Sequence, residues 1–257
     1  MILTVTLNFA LDVTYHVAAL TPHQVHRPSA VAKRAGGKGV NVARILAALG
    51  HEVSVTGLVG GLTGERARAE LISAGLTDAL VWIEGESRST VAIVDTDATG
   101  IWEPGPAVSA AEWSRFVTAY TGLLEDADAV VLAGSLPPGV PDDAYRTLGV
   151  IAADAGVPSV LDASAEALRA GLVARPEVVK PNSDELSALA PGLDPIAAAE
   201  LLRDAGAKRV VASRGPQGLV ALDANSAWQV RPPERVAGNP TGAGDAVVAA
   251  LSAGLVS

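Results

Sequence analysis

The chain has 257 residues, 49% of them apolar, a formal net charge of −9 and no cysteine. That length suits one large α/β domain with a small appendage. The acidic balance argues against a duplex nucleic-acid partner, which would want a basic face. The missing thiols exclude disulfides, thiolate nucleophiles and cysteine metal sites. The opening "MILTVTLN" is short, lacks a basic start and alternates like a strand, so it reads as neither a targeting signal nor a membrane span. A cytoplasmic protein is expected.

Short valine-rich runs predict strands at 2–8, 52–59, 89–95, 127–134, 158–164, 177–182, 209–215 and 218–224. Helical patterns fall between most of them. In "VNVARILAALG", Val42, Ile45, Leu46 and Leu49 share one face and Gly50 is a natural stop. "SAAEWSRFVTAYTGLL", "PDDAYRTLGVIAADAG" and "DPIAAAELLRDAG" also read as helices with capping residues in front. The alternation predicts an α/β fold: a mostly parallel central sheet with helices on both faces. Segments 11–35 and 87–106 break it. They read as hairpin or extended material and are expected to form a small β-lid over one edge of the single domain, 1–257.

Two glycine clusters carry the chemistry, because ligands of open α/β sheets bind where such loops leave strands and enter helices. In "AGGKGVNVARILAALG", Gly36, Gly37 and Gly39 allow close backbone approach and Lys38 adds charge. The spacing is not that of a Walker A loop. In "AGNPTGAGDAVVAALSAGL", Gly242, Ala243 and Gly244 leave successive N–H groups uncovered at a helix start, an anion hole suited to a phosphoryl group in transfer. Asp245 then stands where it can accept a proton from an attacking hydroxyl. A carboxylate at a helix N-terminus is expected to be stabilised as the anion and so to be a weak base, which phosphoryl transfer tolerates. Read alone, a Gly-Ala-Gly-Asp of this kind is more often only a cap or a partner of the helix dipole.

The two clusters together resemble the signatures of the PfkB/ribokinase family of carbohydrate kinases. "LTVTLNFALDVTY", "GLVGGLTGE", "LAGSLPPGVP", "VLDASAEAL", "KPNSDEL" and "VVASRGPQGLVAL" follow in that family's order, so the likeness runs almost end to end. "TLN", "ESRSTVAIV" and "WEPGP" look most like the sugar-phosphate branch, whose members act on tagatose 6-phosphate or fructose phosphates. "MILTVTLN", "TGLVGG" and the Asn-Pro before the last glycine motif lean toward tagatose 6-phosphate.

The resemblance implies ATP-dependent phosphorylation of a ketohexose phosphate, with Asp245 as base and Gly242, Ala243 and Gly244 as the anion hole. It implies that Asp12, Gly37 and Asn41 hold sugar hydroxyls and that Lys38 and Arg88 lie near the acceptor's phosphate. Lys180, Asn182 and Glu185 correspond to the motif facing the nucleotide phosphates and Mg²⁺, with Asn182 and Glu185 as the metal-side groups. On the residues alone these two also suit a helix cap. Ser213, Gly215 and Thr241 fall where the family lines its nucleotide site. A homodimer through the lid is expected. Family members continue for several dozen residues past the last helix, completing the adenine pocket, whereas Ser257 ends this sequence.

The other readings are a kinase of an unphosphorylated sugar or nucleoside, and a non-catalytic sugar-phosphate-binding pseudokinase. Arg88 and the "TLN…D" opening oppose the first; intact Gly242, Gly244 and Asp245 oppose the second. Phe9, Ser89–Thr90, Gly100 and Trp102 depart from the branch pattern on the sugar side. Asp162 reads equally as an active-edge group or a strand-end turn residue, Trp82 and Trp102 as packing groups, and His16, His23, His26 and His51 as surface or hairpin residues.

Overall fold

The structure, a computed structural model, describes residues 1–232 and 242–256. A ten-stranded sheet forms the body. Its strands are β1 (Ile2–Thr6), β4 (Val53–Val59), β5 (Thr77–Asp78), β6 (Val81–Trp82), β9 (Ala129–Gly134), β10 (Ser159–Ala163), β11 (Val178–Val179), β12 (Arg209–Ser213), β13 (Leu219–Leu222) and β14 (Ala227–Val230). The order is β14-β13-β12-β11-β10-β9-β1-β4-β5, with β6 also pairing β4. All pairs from β12 to β5 are parallel; β13 and β14 close one edge antiparallel.

Alternation along each strand divides the core in two. Leu3, Val5, Val130 and Leu132 face one layer of helices: α3 (Ala110–Leu123), α4 (Ala144–Asp154), α5 (Ala165–Gly171), α6 (Ser183–Leu189) and α7 (Pro195–Asp204). Ile2, Val131, Ala133, Val160 and Val178 face the other: α1 (Lys38–Ala48), α2 (Gly61–Ser73) and α8 (Ala243–Ala253). Both faces of the parallel strands are thus apolar, which is why those strands read as unbroken valine runs. With so few aromatic side chains in the chain, small aliphatic groups fill these layers. Phe116, Tyr120 and Tyr145 are buried on the first face.

The alternation-breaking segments form a separate four-stranded sheet of β2 (Ala10–His16), β3 (Ala30–Gly36), β7 (Arg88–Val94) and β8 (Ala98–Trp102), in the order β3-β2-β7-β8. β2 pairs antiparallel with β3 and parallel with β7, and β7 and β8 form a hairpin. One face of this lid turns Leu11, Val13 and Ala35 into the same core cluster as Ala67 and Leu71 of α2. The opposite face carries Asp12, Arg88 and Thr90. No helix among the described residues is long and apolar enough to cross a membrane.

Candidate active site

The site lies at the carboxyl ends of the central strands, where the body meets the lid. Asn8, two residues past the end of β1, is 5% exposed. Its side-chain amide donates to the Pro104 carbonyl at 2.9 Å and to Ser135 Oγ at 3.1 Å. Its own carbonyl accepts from Arg88 Nε at 3.2 Å. Asn8 therefore pins the root of the lid to the loop after β9 and also sets the direction of Arg88. The "TLN" motif marked it only as a family feature.

β2 carries Asp12 onto the lid face away from α2. The Thr90 hydroxyl on the adjacent strand donates to its carboxylate, so the departure at Thr90 supplies a partner for the acid. Gly36 lies diagonally across on β3; a Cβ there would fall 2.1 Å from the Asp12 carboxyl carbon, so only glycine leaves this carboxylate its place. Burial raises the Asp12 pKa against the Thr90 hydrogen bond and the charges of Arg88 and Arg44. Burial lowers that of Arg88 against Asp12 and Glu103. Arg88 also donates to the Glu103 carbonyl at 3.1 Å.

Gly37, at φ 107°, caps α1 and aims Lys38 and Asn41 inward. Asn41 Nδ2 donates to Asp245 Oδ2 at 2.9 Å, tying α1 to α8 across the site. Gly242 (φ 86°) is the N-cap of α8, so Ala243 and Gly244 occupy its first turn without a capping side chain over their N–H groups. A Cβ on Gly244 would sit 3.6 Å from Lys180 Nζ, so this lysine faces the glycine mouth. Asp245, 7% exposed, lies within that first turn. Its pKa is raised: burial dominates, opposed by the Asn41 hydrogen bond, and the charge of Asp162 adds to it against Lys38 and Lys180. This corrects the expectation of a helix-stabilised weak base, because desolvation outweighs the favourable local charges.

Asp162 is the group that reading the sequence undervalued. It is the penultimate residue of β10, in step with Val160, is 1% exposed and receives Lys38 Nζ at 3.0 Å and Lys180 Nζ at 3.4 Å on the same oxygen. Its other oxygen is buried without a hydrogen-bond partner. Lys38 also lies 3.9 Å from Glu185 Oε1. The Lys38 pKa is raised, since Asp162, Glu185 and Asp245 outweigh the lowering effect of burial. Lys38 thus finds its partners on the body side, whereas the charges acting on Arg88 are those of Asp12 and Glu103.

Asn182 and Glu185 form a reciprocal capping box on α6. Asn182 Oδ1 accepts from the Glu185 N–H at 2.9 Å, and Glu185 Oε2 accepts from the Asn182 N–H at 2.8 Å. The capping alternative for both residues is therefore present, with one lone pair of the Asn182 oxygen taken by the cap. Glu185 Oε1 stays outside the box. Asn182 pairs in a bridge with Ser213 at the end of β12, and Gly215 (φ 53°) opens the turn after it, so these three adjoin at one sheet end. Thr241 lies outside the described residues.

Among the described residues no three His, Cys, Asp or Glu side chains are grouped so that they could hold a metal ion by themselves. Mg²⁺ asks for less, because it keeps several waters and is commonly held by one or two carboxylates plus substrate phosphates. The unpartnered Asp162 oxygen and Glu185 Oε1, whose carboxylates both contact Lys38, are the groups that would hold such an ion. Trp102 is 76% exposed and Trp82 44%, which corrects their expectation as packing groups. His16 and His23 are exposed, and His26 and His51 are half-buried.

A model of the pfkB family carbohydrate kinases matches residues 5–257. Phosphofructokinase-2 from Escherichia coli, in a tetrameric inhibited form, superposes with a TM-score of 0.91 at 33% identity, over 99% of this chain and 86% of that one. Its complex with fructose-6-phosphate gives 0.89 at 32%, over 99% and 86%. A protein described as a possible 1-phosphofructokinase from Thermotoga maritima gives 0.91 at 30%, over 99% and 85%.

Proposed function

The chain belongs to the pfkB family of carbohydrate kinases, and on that premise we propose that it transfers the γ-phosphoryl group of ATP to a hydroxyl of a ketohexose already carrying one phosphate. The product is a ketohexose bisphosphate, with a fructose phosphate or tagatose 6-phosphate as acceptor. The observation that carries this reading is Arg88, whose guanidinium is held by Asn8 and Glu103 on the lid face that also presents Asp12. A fork of this kind grips a phosphate at two points.

In the proposed reaction Asp12 and Asn41 orient the sugar. The reacting hydroxyl attacks the γ-phosphorus and gives its proton to Asp245 as the bond to the ADP oxygen breaks. The N–H groups at the start of α8 receive the charge of the transferring phosphoryl oxygens. Lys180, facing the same mouth, adds a fixed positive charge, and Lys38 stands beside it on Asp162. Glu185, through water, and Asp162 would hold Mg²⁺, which neutralises phosphate charge when bound. Ser213 and Gly215 line the nucleotide side. Closure of the lid excludes water and limits wasteful ATP hydrolysis.

The lid also offers a pairing surface. Val31 and Ile101, 50% and 60% exposed, lie on its apolar face beyond the part covered by α2. A homodimer through this strip should sediment at twice the chain mass; a monomer at micromolar concentration would contradict it.

Arg88→Ala tests the acceptor. Losing a hydrogen bond to a charged group costs about 1.5–3 kcal/mol, or roughly 10–150-fold in affinity. That loss is expected in KM for the sugar phosphate, with turnover of the corresponding free sugar nearly unchanged. Equal losses on both acceptors would remove Arg88 from phosphate recognition.

A further inference from the structure

The register of the lid sheet sets four side chains in one row. Arg34 on β3 faces Asp12 on β2, Asp12 faces Thr90 on β7, and Thr90 faces Trp102 on β8. Residues directly opposite one another across paired strands project from the same face. Trp102 therefore shares the face of Asp12, its backbone two strand spacings or about 10 Å away. That span is comparable with the length of a phosphorylated hexose.

The indole has a prepared bed. A Cβ on Gly100 would come within 3.1 Å of Trp102 Nε1 and 3.2 Å of its Cε2, so the ring lies back across its own strand over the missing side chain. An alanine there would make the ring give by a few tenths of an ångström, and a longer side chain would displace it. Thr90 next to it is spoken for by Asp12, and no ring of the described residues stacks on Trp102. The result is a flat apolar surface, 76% exposed, at the end of a polar row. An aromatic face carries negative charge density and packs well against polarised C–H groups. Sugars present such groups on the side of the carbon chain that their hydroxyls leave bare.

We propose that Trp102 is a specificity-determining residue of the acceptor site, its indole packing against the C–H face of the bound sugar while Asp12 takes the hydroxyls. This rests on the acceptor being a sugar or sugar phosphate held under the lid, as argued above. Gly100 is the positioning residue that lets the indole lie flat.

The test measures steady-state kinetics of Trp102→Ala, Trp102→Phe and Gly100→Leu with the acceptor that the wild type uses best. Trp102→Ala is expected to raise the acceptor KM about 10-fold and leave the ATP KM within about twofold, with Trp102→Phe recovering most of the loss. Gly100→Leu, which keeps the tryptophan but displaces it, should reproduce the Trp102→Ala effect. Acceptor binding should also change the intrinsic fluorescence of the wild type and not of Trp102→Phe. Sedimentation of each variant separates this role from lid pairing. An acceptor KM unchanged in Trp102→Ala would overturn the assignment, and so would a KM loss accompanied by dissociation into monomers. If the wild type uses only free sugars, the sugar-phosphate reading fails while Trp102 is still judged by that sugar's KM.

Discussion

Asp245→Asn is expected to lower kcat by about 10²–10⁴-fold, the usual contribution of a general base. The amide keeps the shape of the carboxylate and can still pair with Asn41, so the α1–α8 contact survives. What disappears is proton acceptance from the acceptor hydroxyl. Because that event belongs to the transition state, the KM values for ATP and acceptor should change little. The pH profile offers a second readout. Burial raises the Asp245 pKa, so the acid limb of the wild-type profile should fall at a higher pH than an ordinary aspartate would give. An Asp245 that only favours the helix dipole predicts a different pattern: about 0.3–1 kcal/mol of lost stability and near-normal turnover in the folded fraction. Melting temperature and kcat measured on the same purified variant separate the two.

Asp162→Ala is expected to cost about 3–5 kcal/mol of stability, because it strands a buried charge. Lys180 has a side chain only 3% exposed and sits 3.4 Å from Asp162 Oδ1. Without the carboxylate its ammonium keeps the desolvation cost and loses the compensating attraction. For a chain of this size the drop corresponds to a melting temperature lower by about 6–20 °C. Lys38 loses its 3.0 Å partner as well but is 37% exposed at the side chain, so water replaces much of that contact. Adding Lys180→Met to Asp162→Ala should return part of the stability, since the two side chains form one unit. A melting temperature for Asp162→Ala within about 2 °C of wild type would show that the pair carries little of the fold's stability.

All eight runs are strands; in the central parallel ones burial on both faces writes itself into composition, whereas β7 of the lid is only half-buried and β13 is buried at alternate positions. β5 and β6, of two residues each, are too short to carry a period, and β14 is exposed along its length and shows none. α2 escaped notice because it opens on Gly-Leu-Thr-Gly and buries only Gly64, Ala67 and Leu71, a stripe too narrow to stand out. The glycine loops were legible, since few residues other than glycine suit a helix mouth that opens at positive φ. The Asp162 cluster was not, for one partner, Lys38, lies 124 residues away in the chain. Likewise the raised pKa of Asp245 depends on how deeply α8 is set against α1 and β10, which no local pattern records. Thr90 and Gly100 read as departures, and only strand register shows each beside the residue it serves, Asp12 and Trp102.

The most direct measurement is ADP release by the wild-type chain, with Mg²⁺ and ATP, across fructose 1-phosphate, fructose 6-phosphate, tagatose 6-phosphate and the free ketoses, with product masses determined. Release with at least one ketose phosphate, much faster than with any free ketose and matched by a bisphosphate product, is the expected result. Faster release with a free sugar, or acceptor binding with no ADP formed, would contradict it.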